Sequence, residues 1–537
     1  MEYAQRPGAR RARRESRRGR HERRYGRFLG LAALGSLIPG TGLLAAGRKG
    51  WGRFLLTLVL LGVAALGFVW WRVPRSRLAA AAFDRDELFL IGVGLVVLAT
   101  GWLLVAVASH RALEPDGLPA GKRLLGSLVV VAAASLVVAP MAVGARYAWT
   151  QSDLIEAVSQ ESSTTPELDQ HDPWADKPQV NVLLLGSDGG DGRDGIRPDT
   201  LILASIDTES GDALLLSLPR NLEKVPFPVG TPLHDRFPHG FTNHVPNDPD
   251  YLLNAVYNHA PVEVGLEAFG DSTDPGADAT KLAVSGALGV DVDYYVMADL
   301  QGFQDIINAM NGVQLDVNYP VPMGTRVDSG QCVWAGKPDR WIMPGTDKEL
   351  NGAEALWFAR ARCAPYHPDY PESSGSNSPV RDDFNRMERQ RCVIAAMADR
   401  ADPVRLLPRF LSLAAATENT VKTDIPQDLF PAFAELGLRV QKASIRSLAF
   451  TNEVIPDRTN PDYIEIHNLV EEALTAEPEP EPTADEISTD GQDDGAEESA
   501  PEDGEQDGTD AGEPDGEDTD ETPEPDPTQA ADLAKVC

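Results

Sequence analysis

Positive charge is scarce in this sequence, which holds 48 Lys and Arg against 82 Asp and Glu and has a net charge of −34. Because the bulk of the chain repels phosphate, we expect no nucleic-acid partner. Cysteine is also scarce, at four residues in 537. Large apolar side chains are almost absent from residues 477–531, which excludes a packed core in that stretch.

The mean hydropathy of −0.24 hides three apolar runs that are long enough to span a bilayer. We predict transmembrane helices over residues 54–71, 88–108 and 124–145. A fourth apolar stretch, residues 28–47, contains Pro39 and five glycines, a pattern that breaks a straight helix. For that stretch we predict a re-entrant hairpin or a short membrane segment.

The charges near the N-terminus predict an orientation in the membrane. Residues 1–27 hold 11 Arg and 3 Glu, and the positive-inside rule places this basic arm in the cytoplasm. Three crossings put residue 146 onward outside and four return it inside, and the loop charges favour three. We interpret the arm as disordered, with anionic membrane lipid as its partner and RNA binding as the alternative.

The C-terminal residues 477–537 contain 24 acidic residues and one Lys. Such a segment cannot bury enough surface to offset its ordering entropy, so we predict a disordered, solvated and self-repelling tail. Loose calcium binding and spacing of a domain through a cell wall are the alternatives. Between the membrane segments and the tail we expect a polar stalk, residues 146–177, and a folded domain, residues 178–475.

Short apolar strands alternate with helices in the predicted folded domain. The turn at residues 208–211 joins two of the strands as a hairpin, and Asn311-Gly312 ends a helix. The alternation predicts an α/β domain with a mixed central sheet and helices on both faces, preceded by an all-α transmembrane region. The predicted strands are 180–185, 200–206, 213–218, 294–297 and 313–317, and the predicted helices are 300–310, 383–401 and 430–440.

Two carboxylates stand at the ends of neighbouring predicted strands. Asp188 follows the first strand and Asp199 precedes the second. They could share one hard cation, because Mg²⁺ takes oxygen ligands and usually keeps waters or phosphate oxygens as well. The alternative is ordinary turn chemistry, which is common for Asp at a strand end.

Arginines at the ends of strands and helices form a second candidate set. Singly, each would be a surface arginine paired with a carboxylate, as expected in an acidic domain. Together they suit a diphosphate, because the guanidinium fork binds phosphate oxygens in pairs and keeps its charge. The set contains Arg220 after a buried strand, Arg360 and Arg362, which share one face if their segment is extended, and Arg386, Arg389 and Gln390 on one stripe of a helix.

The order of these motifs resembles that of the LytR-CpsA-Psr family over residues 178–475. The resemblance implies a membrane-anchored phosphotransferase, with its catalytic domain outside the cell, that moves a glycopolymer from polyprenyl pyrophosphate to peptidoglycan. A polyprenyl-pyrophosphate hydrolase and a non-catalytic envelope scaffold are the alternatives. The matching segments are 181–188, 197–200, 217–220, 253–257, 299–303, 311–313, 350–362 and 386–390.

The resemblance also implies roles for single residues. Asp188 and Asp199 match magnesium-binding acids, and Asp199 is preferred over Asp188 as the group that accepts the proton of the acceptor hydroxyl. Arg220 is the third implied catalytic residue. The implied pyrophosphate-binding residues are Arg197, Arg220, Arg360, Arg362, Arg389 and Gln390.

The sequence departs from the family pattern at three positions. Asn221 stands where the family usually has an acidic residue, Pro198 where it often has Ser, and Leu253 where it often has Lys. These departures affect contacts with the acceptor of the glycopolymer more than binding of the pyrophosphate.

All four cysteines, Cys332, Cys363, Cys392 and Cys537, follow the predicted membrane segments, and an outer location permits disulfides. Three of them lie in the folded domain, where three single pairings are open. The resemblance to actinobacterial family members favours a bridge from Cys332 to Cys392, with Cys363 as the competing partner.

Overall fold

The computed structural model describes residues 22, 24–73, 84–166, 168, 169, 172–188, 196–335, 340–400, 420–476 and 528–533. Most of the predicted basic arm and most of the predicted acidic tail lie outside the described residues. So does the glycine-rich segment 189–195 between Asp188 and Asp199.

Helices make up the described N-terminal part of the chain. Three of them are long and apolar enough to cross a membrane, and they extend beyond the three predicted apolar runs at both ends. The helices are α1 (24–37), α2 (Thr41–Ala45), α3 (Lys49–Arg72), α4 (Arg85–Leu113) and α5 (Ala120–Val158).

Residues 28–47 fold back on themselves beside one end of α4. The Trp102 indole donates a hydrogen bond of 2.8 Å to the Ser36 carbonyl oxygen. Ser109, two turns further along α4, lies beside both Gly35 and Gly42, and a Cβ on Gly42 would come within 2.7 Å of the Ser109 Cβ. Glycine is therefore required at position 42, and the two arms of the segment meet α4 at the same level, as in a hairpin.

The strands of the α/β domain form one large sheet and three two-stranded sheets. They are β1 (Gln179–Ser187), β2 (Pro198–Asp207), β3 (Ala213–Ser217), β4 (Tyr294–Ala298), β5 (Val313–Val317), β6 (Val321–Pro322), β7 (Thr325–Asp328), β8 (Gln331–Trp334), β9 (Trp341–Ile342), β10 (Gly345–Leu350), β11 (Val421–Thr423), β12 (Ile445–Ala449) and β13 (Ala531–Asp532). The large sheet has the order β11-β4-β1-β2-β3-β12-β13, and the small sheets pair β5 with β10, β6 with β9 and β7 with β8.

The large sheet is mixed, as predicted. β1 runs antiparallel to β2 and parallel to β4, and β3 runs antiparallel to β2 and parallel to β12. The predicted hairpin joins β2 to β3, with Asp207 accepting backbone hydrogen bonds from Glu209 and Ser210 at 2.9 and 2.7 Å. Gly211 completes the turn at a φ of 88°, a conformation that favours glycine.

Helices cover both faces of the large sheet, which confirms the predicted fold class. The α/β domain contains α6 (Pro232–Arg236), α7 (Val256–Val264), α8 (Pro275–Leu288), α9 (Leu300–Ala309), α10 (Gly352–Arg360), α11 (Asp383–Arg400), α12 (Phe430–Val440) and α13 (Tyr463–Thr475). Leu203 and Leu216 face a core with α7, α8 and α13, whereas Ile202 and Leu215 face the opposite side with α11. Because both faces of the sheet are buried, the sequences of these strands are continuous runs of apolar residues.

The predicted stalk is attached to the α/β domain. Helix α5 continues to Val158, and the polar residues that follow it in the chain contact α8. The hydroxyls of Ser162, Ser163 and Thr164 donate hydrogen bonds to the buried Asp278 carboxylate at 2.6, 2.9 and 3.1 Å. We therefore describe residues 159–165 as a docked segment rather than a free spacer.

A buried ion pair lies beneath this docked segment. The Asp424 carboxylate accepts hydrogen bonds from Thr165 Oγ1 and Lys281 Nζ, both at 2.6 Å, and from the Tyr295 backbone N–H at 2.7 Å. The side chains of Lys281 and Asp424 are 1% and 0% exposed. The pair thus ties the docked segment to both α8 and β4.

The α/β domain also rests directly on the membrane helices. Phe430, at the start of α12, packs against Leu88 of α4 and Ile155 of α5. Arg85 Nη1 donates a hydrogen bond of 3.4 Å to Gln427 Oε1. The start of α4 and the end of α5 are therefore on the same side as the α/β domain.

The predicted bridge from Cys332 to Cys392 is wrong, because Cys332 is bonded to Cys363 with a Cα–Cα distance of 5.6 Å. The β7–β8 hairpin, which carries Cys332, lies against the chain that follows α10. Thr325 Oγ1 of the hairpin donates a hydrogen bond of 3.2 Å to the Cys363 carbonyl oxygen. Cys392 lies on α11, is buried, and is itself disulfide-bonded.

We expect Asp424→Asn to lower the free energy of unfolding by about 3–5 kcal/mol, because the buried Lys281 ammonium would lose its carboxylate partner. Urea-induced unfolding of the full chain in detergent, followed by tryptophan fluorescence, measures the change. The matched control is Asp271→Asn at an exposed position, for which we expect a change within about 0.5 kcal/mol. Equal unfolding midpoints for the two variants would contradict a stabilising role of the pair.

Candidate functional site

A β-bulge positions Asp199 at one end of the large sheet. In the β1–β2 ladder Gly186 pairs with Thr200 and Ser187 pairs with Pro198, so Asp199 is the extra residue. A bulge bends the strand locally and re-aims a side chain. Gly186 allows this arrangement, because a Cβ at that position would lie 2.9 Å from the Thr200 Cβ.

Arginines from three elements surround the Asp199 carboxylate, and we call Arg220, Arg362 and Arg386 the arginine cluster. Arg220, which follows β3, donates from Nη1 to Asp199 Oδ1, and Arg362, which follows α10, donates from Nη2 to Oδ2 at 2.5 Å. Arg386 on α11 is buried and interacts electrostatically with the same carboxylate. The Asn254 backbone N–H donates to the Arg220 carbonyl oxygen at 2.9 Å and holds that loop in place.

The charges of the arginine cluster decide the ionisation of Asp199. Burial raises the pKa of the Asp199 carboxyl, but Arg362, Arg220 and Arg386 outweigh burial and hold the pKa below its ordinary value of 3.8. The carboxylate is therefore ionised at neutral pH. Three guanidinium cations around one carboxylate leave an excess of positive charge, so the site suits an anion.

Arg389 and Gln390 act on the chain that carries Arg362. Arg389 Nη2 donates to the Ala361 carbonyl oxygen at 2.8 Å, and Gln390 Nε2 donates to the Ala359 carbonyl oxygen at 3.4 Å. The Arg389 side chain is buried, and its Nη1 has no hydrogen-bond partner among the described residues. Both residues thus position Arg362, and Arg389 keeps one unused donor.

The segment that carries Arg360 and Arg362 is not extended but is a helix up to Arg360. Asn351 and Glu354 form a capping box at the start of α10, so the helix begins with its first orphan N–H groups satisfied. The Arg360 guanidinium lies 5.2 Å from the centroid of the Trp357 ring. Arg360 therefore lies on a helix and Arg362 lies in the loop that follows it. The two side chains do not lie on one face of a strand.

The Arg197 side chain points to a surface loop. It donates to the Pro249 carbonyl oxygen at 2.9 Å and to the Asp250 carboxylate at 2.7 Å. The structure thus does not pair Arg197 with Asp199, although the two residues are neighbours in sequence. The Arg197 guanidinium is therefore held by this surface loop.

Asp188 lies at the same end of the sheet as Asp199. Its Oδ1 accepts a hydrogen bond of 3.3 Å from the Arg197 backbone N–H at the entry to β2. Two carboxylates on neighbouring strands fit Mg²⁺ chemically, since waters and phosphate oxygens can complete its octahedral shell. No group of three or more His, Cys, Asp or Glu that could hold a metal occurs in the part of the chain that the structure describes.

Sequence reasoning did not single out Arg458, which lies beside the arginine cluster. Its Nη1 donates to Asn221 Oδ1 at 3.2 Å, and its guanidinium is 4.9 Å from the centroid of the Phe384 ring. Asn221 follows Arg220, and Phe384 precedes Arg386 on α11. The unusual Asn221 was the only signal in the sequence for this contact.

We expect Asp199→Asn to destabilise the protein, because the three arginines would then repel one another without a carboxylate between them. The folded-state pKa of Asp199 is lowered, so its stabilisation is complete above the ordinary value of 3.8 and is lost as the pH falls through the lower, folded-state value. The difference in melting temperature between wild type and variant should therefore be constant from about pH 8 to 5 and shrink only below about pH 4. Asp271→Asn controls for general acid sensitivity, and a difference that already vanishes near pH 6 would contradict the assignment.

Comparison with known proteins places this site in a family. The model of the LytR_cpsA_psr family matches residues 146–476. Among curated relatives, the polyisoprenyl-teichoic acid–peptidoglycan teichoic acid transferases TagV and TagU of Bacillus subtilis are each 24% identical, over 46% and 47% of this chain and 50% and 62% of their own lengths. The chain therefore spans between half and two thirds of these relatives.

A solved structure, that of Bacillus subtilis TagV, is 22% identical, has a TM-score of 0.36, and is matched over 56% of this chain and 99% of its own. The family assignment depends instead on the family model, whose match includes the β-bulge at Asp199 and all of the arginine cluster. Because that match covers more than half of the sequence, the chain belongs to the LytR-CpsA-Psr family.

Proposed function

We propose that this chain is a membrane-anchored phosphotransferase that moves a glycopolymer from a polyprenyl pyrophosphate carrier to peptidoglycan. The observation that carries the proposal is the arginine cluster around Asp199, an excess of positive charge inside an acidic domain. Guanidinium groups bind phosphate oxygens in pairs and stay charged. The names of the Bacillus subtilis relatives, which describe transfer of polyisoprenyl-linked teichoic acid to peptidoglycan, support the proposal.

Substrate binding would replace the Asp199 carboxylate with phosphate oxygens as the hydrogen-bond acceptor of the arginines. In the structure both oxygens of Asp199 accept hydrogen bonds from Arg220 and Arg362. Phosphate oxygens of the carrier would take over these donors, and the unused Nη1 of Arg389 supplies another. Asp199 would then be released from the arginines at the moment when the pyrophosphate arrives.

The transfer step breaks the bond between the two phosphates of the carrier. A hydroxyl oxygen of peptidoglycan attacks the phosphorus attached to the glycopolymer, and polyprenyl phosphate leaves with the bonding electron pair. The released Asp199 carboxylate accepts the hydroxyl proton. The arginine cluster stabilises the charge that develops on the transferring phosphoryl group and on the leaving phosphate.

Asp188 and Asp199 are the residues that would hold Mg²⁺. When bound, the cation would neutralise charge on the phosphate oxygens during transfer. Asp199 could bind Mg²⁺ only after its hydrogen bonds to the arginine cluster are broken. Replacement of the carboxylate by phosphate at Arg220 and Arg362 would therefore also free Asp199 to bind the cation.

The proposed location is the cell membrane, with several crossings and with the α/β domain outside the cytoplasm. Three helices meet the requirements of length and hydropathy for spanning. The start of α4 and the end of α5 both lie against the α/β domain, as Phe430 and Arg85 show by their contacts. This arrangement is consistent with an odd number of crossings from a basic cytoplasmic arm.

Removal of one member of the site tests the activity directly. We expect Arg220→Ala and Asp199→Ala each to lower transfer of a labelled lipid-linked glycan to peptidoglycan by at least about 100-fold, because each deletes a group that acts on the reacting phosphate. Arg236→Ala is the matched control, since Arg236 pairs with Glu263 on the surface and should leave the rate unchanged. Unchanged transfer in both site variants would contradict the assignment.

The same assay separates the alternative functions. Release of free glycan phosphate without attachment to peptidoglycan would identify a hydrolase. If wild type binds the lipid-linked glycan and yields neither product, the chain is a scaffold.

A second experiment separates binding from turnover. We expect Asp199→Asn to bind a prenyl pyrophosphate at least as tightly as wild type in the absence of Mg²⁺, because the carboxylate that competes for Arg220 and Arg362 has lost its charge. Its transfer rate should nevertheless fall by about 100-fold or more. Arg362→Met should instead weaken binding, which calorimetry on the full chain in detergent measures. Equally weakened binding in both variants would contradict the proposal that phosphate replaces the Asp199 carboxylate at Arg220 and Arg362.

A further inference from the structure

Arg458 lies beside the arginine cluster and forms no ion pair with an acidic side chain that the structure describes. Its hydrogen bonds go to side-chain amides instead. Nε and Nη2 donate to Asn452 Oδ1 at 3.2 and 2.8 Å, and Nη1 donates to Asn221 Oδ1 at 3.2 Å. A neutral amide orients the guanidinium, but it does not compensate the positive charge.

Arg236 shows the more usual arrangement for an arginine of this acidic domain. Its guanidinium lies 4.8 Å from the centroid of the Phe237 ring and donates to the Glu263 carboxylate at 2.6 Å. Arg458 has the same kind of ring contact, at 4.9 Å from the centroid of Phe384, but no described carboxylate accompanies it. Arg458 thus departs from the pairing that an acidic surface favours.

Two carboxylates close to Arg458 in the fold have other partners. The Asp457 carboxylate accepts hydrogen bonds from the backbone N–H and the hydroxyl of Thr459 at 2.9 and 2.6 Å. The Glu223 backbone N–H donates to the Arg458 carbonyl oxygen at 3.1 Å, but the Glu223 carboxylate accepts from the Asn247 backbone N–H at 2.7 Å. Neither carboxylate therefore neutralises Arg458.

The loop between β12 and α13 holds Arg458 in place. Ile455 of this loop is buried in the main core, and the Tyr463 hydroxyl donates to the Glu223 carbonyl oxygen at 2.8 Å. The side chain itself is half-buried, so a ligand can reach it. A charged group that is already oriented loses little conformational entropy when it binds a ligand.

We propose that Arg458 adds a second subsite to the arginine cluster, for a carboxylate or phosphate on a sugar next to the reacting pyrophosphate. The amides leave one N–H group on Nη1 and one on Nη2 without a described partner, and guanidinium N–H groups bind the oxygens of such anions in pairs. Asn221 follows Arg220, and Phe384 precedes Arg386 by two residues, so the subsite adjoins the cluster. The inference rests on the proposed function and adds a preference for an anionic substrate.

Binding measurements test the subsite on the side of the glycopolymer. The ligands are farnesyl pyrophosphate and its conjugates with glucose and with glucuronic acid, which differ from each other in one carboxylate. If the anion belongs to the glycopolymer, wild type should bind the glucuronate conjugate about tenfold more tightly than the glucose conjugate. Arg458→Gln should lose this preference and keep nearly the same affinity for farnesyl pyrophosphate, which calorimetry on the full chain in detergent measures.

The transfer assay tests the subsite on the side of peptidoglycan. Peptidoglycan fragments with free or with amidated carboxylates serve as acceptors. If the anion belongs to peptidoglycan, amidation should raise the KM of wild type about tenfold at an unchanged kcat, and it should leave the KM of Arg458→Gln unchanged.

Asn221→Asp separates ligand binding from a structural role of Arg458. The new carboxylate would stand where the amide oxygen now accepts from Nη1, so it should neutralise the guanidinium without removing it. We expect a melting temperature at or above that of wild type and the same loss of preference as in Arg458→Gln. The preference is a ratio of two affinities, so a general effect on pyrophosphate binding cancels.

Arg236→Gln is the matched control, because Arg236 also contacts a phenylalanine ring but is already paired with Glu263, and it should keep the preference. Retention of the preference in Asn221→Asp would mean that Arg458 only joins two loops, and it would overturn the inference. Absence of a preference on both sides in a wild type that binds farnesyl pyrophosphate would overturn the inference alone. A wild type that does not bind farnesyl pyrophosphate would overturn the proposed function together with it.

Discussion

The charge of one carboxylate, Asp199, allows the rest of the site to exist before a ligand arrives. Guanidinium groups a few ångströms apart repel one another strongly where water is excluded. Arg220 and Arg362 avoid that cost because each donates to a different oxygen of Asp199. The shared carboxylate thus brings together cations from separate parts of the chain, and in the proposed function a phosphate group takes its place.

This arrangement depends on local features that have little to do with phosphate chemistry. The β-bulge moves Asp199 out of the regular ladder, and the absence of a side chain at Gly186 leaves room for Thr200 beside it. On the other side, Arg389 and Gln390 hold the backbone that leads to Arg362. A preorganised site of this kind needs little rearrangement when charge develops during a reaction.

Periodicity in the sequence was sufficient to predict much of the fold but not all of the site. The strand and helix at residues 294–310, and the hairpin between β2 and β3, follow from apolar patterning and turn residues alone. The helix that ends at Arg360 was not predicted, although Asn351 and Glu354 have the spacing of a helix cap. A short apolar run fits either structure, whereas the spacing of Asn351 and Glu354 indicates the start of a helix.

Other errors arose where distant segments meet. A helical stripe predicts that Arg389 and Gln390 lie on one side of α11, but it does not say that this side meets backbone carbonyls of another chain segment. The pairing of Cys332 with Cys363 likewise depends on how the β7–β8 hairpin folds over the chain after α10. Contacts of this kind are set by tertiary packing, which one sequence without relatives does not reveal.

The acidity of the domain and its attachment to the membrane together explain how a small cationic site can be selective. Residues 151–476 carry a net charge of −25, so a free polyanion is repelled once it comes within the screening length, about 8 Å at physiological salt. A carrier held in the bilayer does not have to cross that field from solution. Because Asp278 and Asp424 hold the docked segment against α8 and β4, the α/β domain is held close to the end of α5. Delivery along the membrane surface, rather than affinity for phosphate alone, therefore selects the substrate of the proposed reaction.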